Sequence, residues 1–203
     1  MDFSSENTTF AGTMTRLEDI KAFAFDVDGV FTDGLVLAMP DGDLLRQFNS
    51  KDCYAVRTAV NNGYPCSIIT GGVSQSLLHR SRSLGVEDRH LYMLSKDKAV
   101  DFLDFCRSTG LEPAQVAFVG DDIPDIPALR LAGLGVCPAD AVAEVRAEAD
   151  IVSQYGGGRG CIRDLIEQVL KSRNDWKFDP KDPWKGCHPD SITKFAKLTG
   201  RNV

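Results

Sequence analysis

No apolar run in this 203-residue chain approaches the ~18 residues needed to cross a bilayer, so no membrane partner is expected. Basic charge is also scarce. With 23 Lys and Arg against 29 Asp and Glu, the net charge is −6 and the pI about 5.1. Nucleic-acid partners, which call for a basic face, are therefore not expected. The three histidines, His79, His90 and His188, are scattered and none stands beside an obvious Ser or Cys, which leaves a hydrolase triad without support. Six cysteines, at 53, 66, 106, 137, 161 and 187, form no Cys-x-x-Cys pair and no zinc-type spacing with histidine. Several fall in apolar segments, where free Cys packs as a small hydrophobe, and they read as reduced thiols of a cytoplasmic protein. The first nine residues lack the basic start and apolar core of a signal peptide, and residues 1–17 are expected to be a flexible polar tail. Internal repeats and low-complexity stretches are absent.

What is present is an alternation. Apolar runs at 20–25, 65–69, 90–92, 115–119, 134–137 and 150–152 read as strands. Between and after them, 52–62, 74–84, 96–109, 124–132, 141–147 and 160–171 read as helices. Gly85 and Gly110 stand where helix C-caps belong, and Pro65 and Pro113 punctuate the loops before strands. Such alternation predicts an α/β fold: a Rossmann-like, three-layer parallel sheet covered by helices on both faces. One domain over 18–172, followed by a C-terminal extension over 173–203, accounts for the length. A single segment breaks the pattern. Residues 35–48 read as a β-hairpin turning at Asp41-Gly42, and as a short flap over the strand tips.

Four pieces carry chemistry. The run 20–25 ends in Asp26-Val27-Asp28-Gly29, two carboxylates just beyond the carboxyl end of a buried strand. Like charges so close repel, and a hard cation such as Mg²⁺ relieves them; an acidic loop that merely caps a strand is the plain alternative. The second piece, Ile69-Thr70-Gly71-Gly72, offers a hydroxyl and unobstructed N–H groups to a phosphate. In the third, Lys98 opens an amphipathic helix, where a cation opposes the helix dipole unless an anion is bound nearby. Val119-Gly120-Asp121-Asp122 and Asp125 make the fourth, again acids at a strand tip.

Together and in this order, the four pieces resemble the four motifs of the haloacid dehalogenase superfamily phosphohydrolases, from about Ile20 to Leu170. Phe48-Asn49-Ser50-Lys51-Asp52, Val56-Arg57, Gly120-Asp121-Asp122 and Gly157-Gly158-Arg159-Gly160 resemble signatures of the 3-deoxy-D-manno-octulosonate 8-phosphate phosphatase family. That resemblance implies a Mg²⁺-dependent phosphatase of a 2-keto-3-deoxy sugar acid phosphate, acting in lipopolysaccharide precursor synthesis. It implies Asp26 as nucleophile and Asp28 as general acid/base. Asp26, the Asp28 backbone carbonyl and Asp121 would ligate the metal, with Asp122 and Asp125 behind them. Thr70, Gly71 and Lys98 would grip the phosphoryl group. Asn49, Lys51, Asp52, Arg57, Arg80 and Arg159 would lie toward the sugar, Arg159 reaching a neighbouring subunit's site in a homotetramer.

Two positions depart from the family pattern. After Ile-Thr-Gly the eight-carbon family usually carries Arg-Lys and the nine-carbon branch Glu-Lys, whereas this chain has Gly72-Val73. Cys53 stands where Gly is common. A nine-carbon sugar acid phosphate or another small phosphometabolite is therefore an alternative substrate. Other readings are a relic-site interaction subunit and an Asp-centred receiver, although the Asp-x-Asp followed by Gly and a hairpin argues against the latter. Roughly 40 residues separate Asp28 from Thr70 and fewer than about 25 separate Lys98 from Asp121, too few for a cap domain in either gap. The site is expected to be open unless another chain covers it.

Overall fold

The computed structural model describes residues 17–40 and 42–177. Six strands form one parallel sheet: β1 Ala22–Phe25, β4 Cys66–Ile69, β5 Leu91–Tyr92, β6 Val116–Val119, β7 Leu134–Cys137 and β8 Ile151–Val152. Their spatial order is β5-β4-β1-β6-β7-β8. The chain therefore builds outward from β1 through β4 to β5, then returns across the sheet to start β6 on the other side of β1. That return makes the carboxyl end of β1 a topological switch point, where an open α/β sheet forms its crevice.

The alternation of β1 sorts the two faces. Phe23 and Phe25 pack in one core with residues of α1 (Ser50–Asn61), α2 (Gln75–Leu84) and α6 (Cys161–Ser172). Ala22 and Ala24 face the other core, filled by Phe102, Phe105 and Cys106 of α3 (Lys98–Thr109), Ala128 and Leu129 of α4 (Ile126–Leu131) and Val145 of α5 (Ala143–Glu148). This is the expected three-layer arrangement. Local signals explain the helix ends. Asn49, Ser74 and Asp97 accept backbone N–H bonds at the starts of α1, α2 and α3, while Gly85 and Gly110 close α2 and α3 with φ of 84° and 68°.

Two expectations shift and a third holds. The helix expected over 124–132 is divided into a 3₁₀ turn, Ile123–Asp125, and α4, because the Asp125 carboxylate folds back to accept the N–H groups of Asp121 and Asp122. The expected hairpin is present as β2 (Leu37–Ala38) and β3 (Leu44–Leu45), antiparallel and paired over two residues each. The start of the expected C-terminal extension belongs to the domain: Trp176 packs on the core beneath the Arg163 guanidinium, and Asp175 accepts from Tyr64 Oη at 2.8 Å. Residues 1–16, and Phe178, Pro180, Pro183 and Trp184 of the extension, lie outside the described residues. So does Cys187; the five described cysteines are buried and unpaired. Among the described residues, no helix is long and apolar enough to cross a membrane.

Candidate active site

β1, β4 and β6 are adjacent, so their carboxyl ends deliver Asp26, Thr70 and Asp121 to one crevice. Lys98, the first residue of α3, enters from the side. Its buried ammonium lies 2.6 Å from Asp125 Oδ1 and 2.9 Å from Asp26 Oδ1. The cation in the first helical turn is thus held by two carboxylates, which offset its opposition to the helix dipole. Lys96, two residues ahead of the helix, is exposed.

The acids crowd one another. Oxygens of Asp26, Asp121 and Asp125 lie within 4.8 Å of one another. Burial, then the charge of Asp125, pushes Asp26 up to about 7 against the opposing pull of Lys98. Asp121 is pushed up to about 7 by burial and by the charges of Asp26 and Asp125. Asp121 Oδ1 is buried without a hydrogen-bond partner. Its other oxygen is packed against Gly29: a Cβ on Gly29, whose φ is +83°, would stand 1.9 Å from Asp121 Oδ2. Only glycine lets the Asp26–Asp28 turn close over Asp121 in this way. An orphaned buried carboxylate oxygen beside a second acid of raised pKa is the donor set a hard divalent cation satisfies. Mg²⁺ therefore fits, and Asp26 and Asp121 are the side chains that could hold it. Asp125 is already committed, with Oδ1 on Lys98 and Oδ2 on the two N–H groups, so it orients the cluster. Asp122 is exposed and accepts from Ile123 N at 2.8 Å as the cap of the 3₁₀ turn.

Thr70 is buried, and its hydroxyl accepts from Gly72 N at 3.1 Å. Gly71 is exposed, and a Cβ there would meet only Ser95 O at 3.9 Å, so its backbone is open to a ligand. Asp28 brings a residue that the motifs do not announce. Both its oxygens accept from Arg46, Oδ1 from Nε at 2.7 Å and Oδ2 from Nη2 at 2.9 Å. Arg46 follows β3, so the hairpin reaches the site through this side chain. The only sequence signal for it is a lone cation next to the apolar pair Leu44-Leu45.

The residues expected toward the sugar divide. Lys51 is exposed at the first turn of α1, and Arg159 is exposed, 3.4 Å from Asp33. Asn49 donates from Nδ2 to Gly158 O, tying the Gly-rich segment to α1. That segment is packed against the first acidic turn: a Cβ on Gly157 would stand 1.8 Å from Gly29 O, and Gly158 N donates to Val30 O. Asp52 departs from its expected role. It is wholly buried, and its oxygens accept from Gly160 N and Arg163 N, capping α6. The unpaired N–H groups of a helix start claim it before any substrate can. Arg57 donates to Ser83 O and joins α1 to α2. Arg80 lies over the Phe48 ring at 5.8 Å and against the Cys53 thiol.

Comparison with known proteins gives a consistent picture. Residues 53–133 match the model of haloacid dehalogenase-like hydrolases. The chain is 36% identical over 157 residues to the 3-deoxy-D-manno-octulosonate 8-phosphate phosphatase KdsC of Salmonella typhi, covering 77% of this chain and 82% of that protein. To the Escherichia coli K12 protein of the same name it is 35% identical over 160 residues, covering 79% and 84%. Among solved structures, the Yersinia pestis phosphatase of that name superposes with a TM-score of 0.75 at 33% identity, covering 78% of this chain and 85% of that one. The Moraxella catarrhalis phosphatase, crystallised with a magnesium ion, a phosphate ion and KDO, gives 0.75 at 31% identity, with 79% and 91% covered.

Proposed function

Because the chain belongs to the 3-deoxy-D-manno-octulosonate 8-phosphate phosphatase family of haloacid dehalogenase-like hydrolases, we propose that it hydrolyses that sugar acid phosphate in lipopolysaccharide precursor synthesis, through an aspartyl-phosphate on Asp26. The observation that carries the reading is Asp26 at the tip of β1, bound to Lys98 beside the orphaned oxygen of Asp121. Mg²⁺, when held by Asp26, Asp121 and the Asp28 backbone carbonyl, supplies positive charge to the phosphoryl oxygens.

The chain's own residues do the rest. Asp26 attacks phosphorus with its carboxylate oxygen, and the sugar alkoxide leaves with a proton from Asp28. Lys98, the Thr70 hydroxyl and the Gly71 backbone bind the equatorial oxygens, whose charge is greatest in the transition state. Water then attacks the aspartyl-phosphate, losing its proton to Asp28 and restoring Asp26. Lys51 and Arg159 are the exposed cations available to the sugar acid. A homotetramer completes the site: the described residues include no cap domain, Arg159 projects outward, and the hairpin displays Leu35, Val36, Leu37 and Leu45 to solvent.

A second substrate class, the nine-carbon sugar acid 9-phosphates, is favoured by one observation, the uncharged Gly72-Val73 after Thr70-Gly71. A panel of phosphorylated sugar acids assayed with Mg²⁺ tests the choice. Rapid turnover of the eight-carbon ester, with the nine-carbon ester slower by at least an order of magnitude, is expected. Rejection of the eight-carbon ester with turnover of another would overturn it.

A further inference from the structure

Gly72 and Arg46 belong to one arrangement. A Cβ placed on Gly72 would stand 2.7 Å from Arg46 Nη2 and 3.6 Å from the Thr70 hydroxyl. The guanidinium thus occupies the space in which any side chain at position 72 would begin, between the Thr70 turn and Asp28. Its side chain is 2% exposed, whereas that of Asp28 is 35% exposed. Nη1 donates to Leu44 O at 3.0 Å, so the guanidinium is fastened to its own hairpin as well as to the carboxylate. A planar fork engaging both oxygens of a carboxylate removes its freedom to rotate, which a single contact to an ammonium does not.

We infer that Arg46 is a positioning residue for Asp28, and that the missing side chain at Gly72 is the condition that admits it. The inference rests on the phosphatase reading above and deepens it: the hairpin is coupled to Asp28 through one guanidinium, which holds both oxygens of the carboxylate and keeps its bond to one of them when the other carries the proton to be donated. A Cβ at position 72 stands too close to Arg46 Nη2 for the guanidinium to stay where it is, and the shift that relieves it pulls the fork off Asp28. The orientation of Asp28 matters to an ester in proportion to how badly its leaving oxygen needs a proton. An alkyl phosphate needs that proton, and p-nitrophenyl phosphate, which releases a stable phenolate, hardly does.

The test measures kcat/KM for an alkyl phosphate, such as a sugar phosphate, and for p-nitrophenyl phosphate, with Mg²⁺, in wild type, Arg46→Ala, Arg46→Lys, Gly72→Ala and Arg46→Ala/Gly72→Ala. kcat/KM covers the steps up to release of the alcohol, where the leaving group counts. In Arg46→Ala the aryl-to-alkyl ratio is expected to rise at least about tenfold, within the range that positioned acid catalysis supplies. The change should fall on kcat for the alkyl ester more than on KM. Arg46→Lys should recover only part of the loss, lacking the fork. Gly72→Ala should evict the guanidinium and reproduce the altered ratio, and the double variant should be no worse than Arg46→Ala, since both substitutions remove one interaction. An equal loss on both esters would make Arg46 a general structural residue and overturn the inference, as would additive effects of the two substitutions. A wild-type protein that hydrolyses aryl and simple alkyl phosphates but no sugar acid phosphate would remove the substrate proposed above and leave this test intact. A wild type that hydrolyses no phosphate ester removes both.

Discussion

Asp26 and Asp121 ionise late in the folded protein, near 7, because burial and mutual repulsion oppose their charges. In an unfolded chain each loses its proton near ~3.9. Between those values the folded state holds protons that the unfolded chain has released, so stability falls as pH rises from about 4 to about 7. A divalent cation between the two acids reverses that penalty by favouring their charged forms, and its binding releases the protons. Mg²⁺ is therefore expected to raise the melting temperature little at about pH 5 and most above about pH 7, where no proton must be displaced. Thermal unfolding with Mg²⁺ or EDTA across this range checks it; equal stabilisation at both ends would place the ion elsewhere. Asp26→Asn should lower kcat by about 10³-fold or more, since an amide neither attacks phosphorus nor ligates Mg²⁺ well. Activity within about tenfold of wild type would remove Asp26 from the nucleophile's role.

Helices α1 and α6 are joined by a carboxylate. Asp52, in the first turn of α1, caps the start of α6, and Asn49 just ahead of α1 binds the Gly-rich segment that leads into it. Burial pushes the Asp52 carboxyl above the usual range, and the backbone N–H groups of Arg163 and Gly160 oppose that push only in part. Asp52→Ala is expected to lower unfolding stability by about 1–3 kcal/mol through the N–H groups left unpaired. Urea unfolding reads the loss, and KM for the substrate should stay within about twofold, since no contact to it is removed. A large rise in KM with stability unchanged would return Asp52 to the sugar.

Among the described residues, no cap domain stands over the switch-point crevice. The exposed apolar hairpin and the outward Arg159 stand on the same chain as an open site, and closing such a site against water strengthens every charge interaction within it. Two inactive variants test the tetramer with shared sites. Asp26→Asn and Arg159→Ala subunits, each poor alone, should regain activity after chain exchange by pairing an intact Asp26 with an intact Arg159. Full activity as a monomer, or unchanged kinetics in Arg159→Ala, would exclude sharing while leaving the phosphatase reading in place.

The layered fold and the acids of the crevice were legible in the sequence because both are written locally. An apolar run followed at once by Asp or Thr marks a strand and its tip, and alternation of such runs with helical segments dictates a parallel sheet. Asp26, Thr70, Lys98 and Asp121 could be picked out before their contacts were known, and the glycine caps of α2 and α3 were equally plain. What the tertiary structure alone decided depends on partners far along the chain. Arg46 meets Asp28 across 18 residues, its guanidinium lying 2.7 Å from where a Cβ at position 72 would stand. Asp52 finds its N–H partners 108 and 111 residues away. No local pattern encodes such pairings, because a side chain's role is set by the unpaired groups and the free space that folding brings beside it.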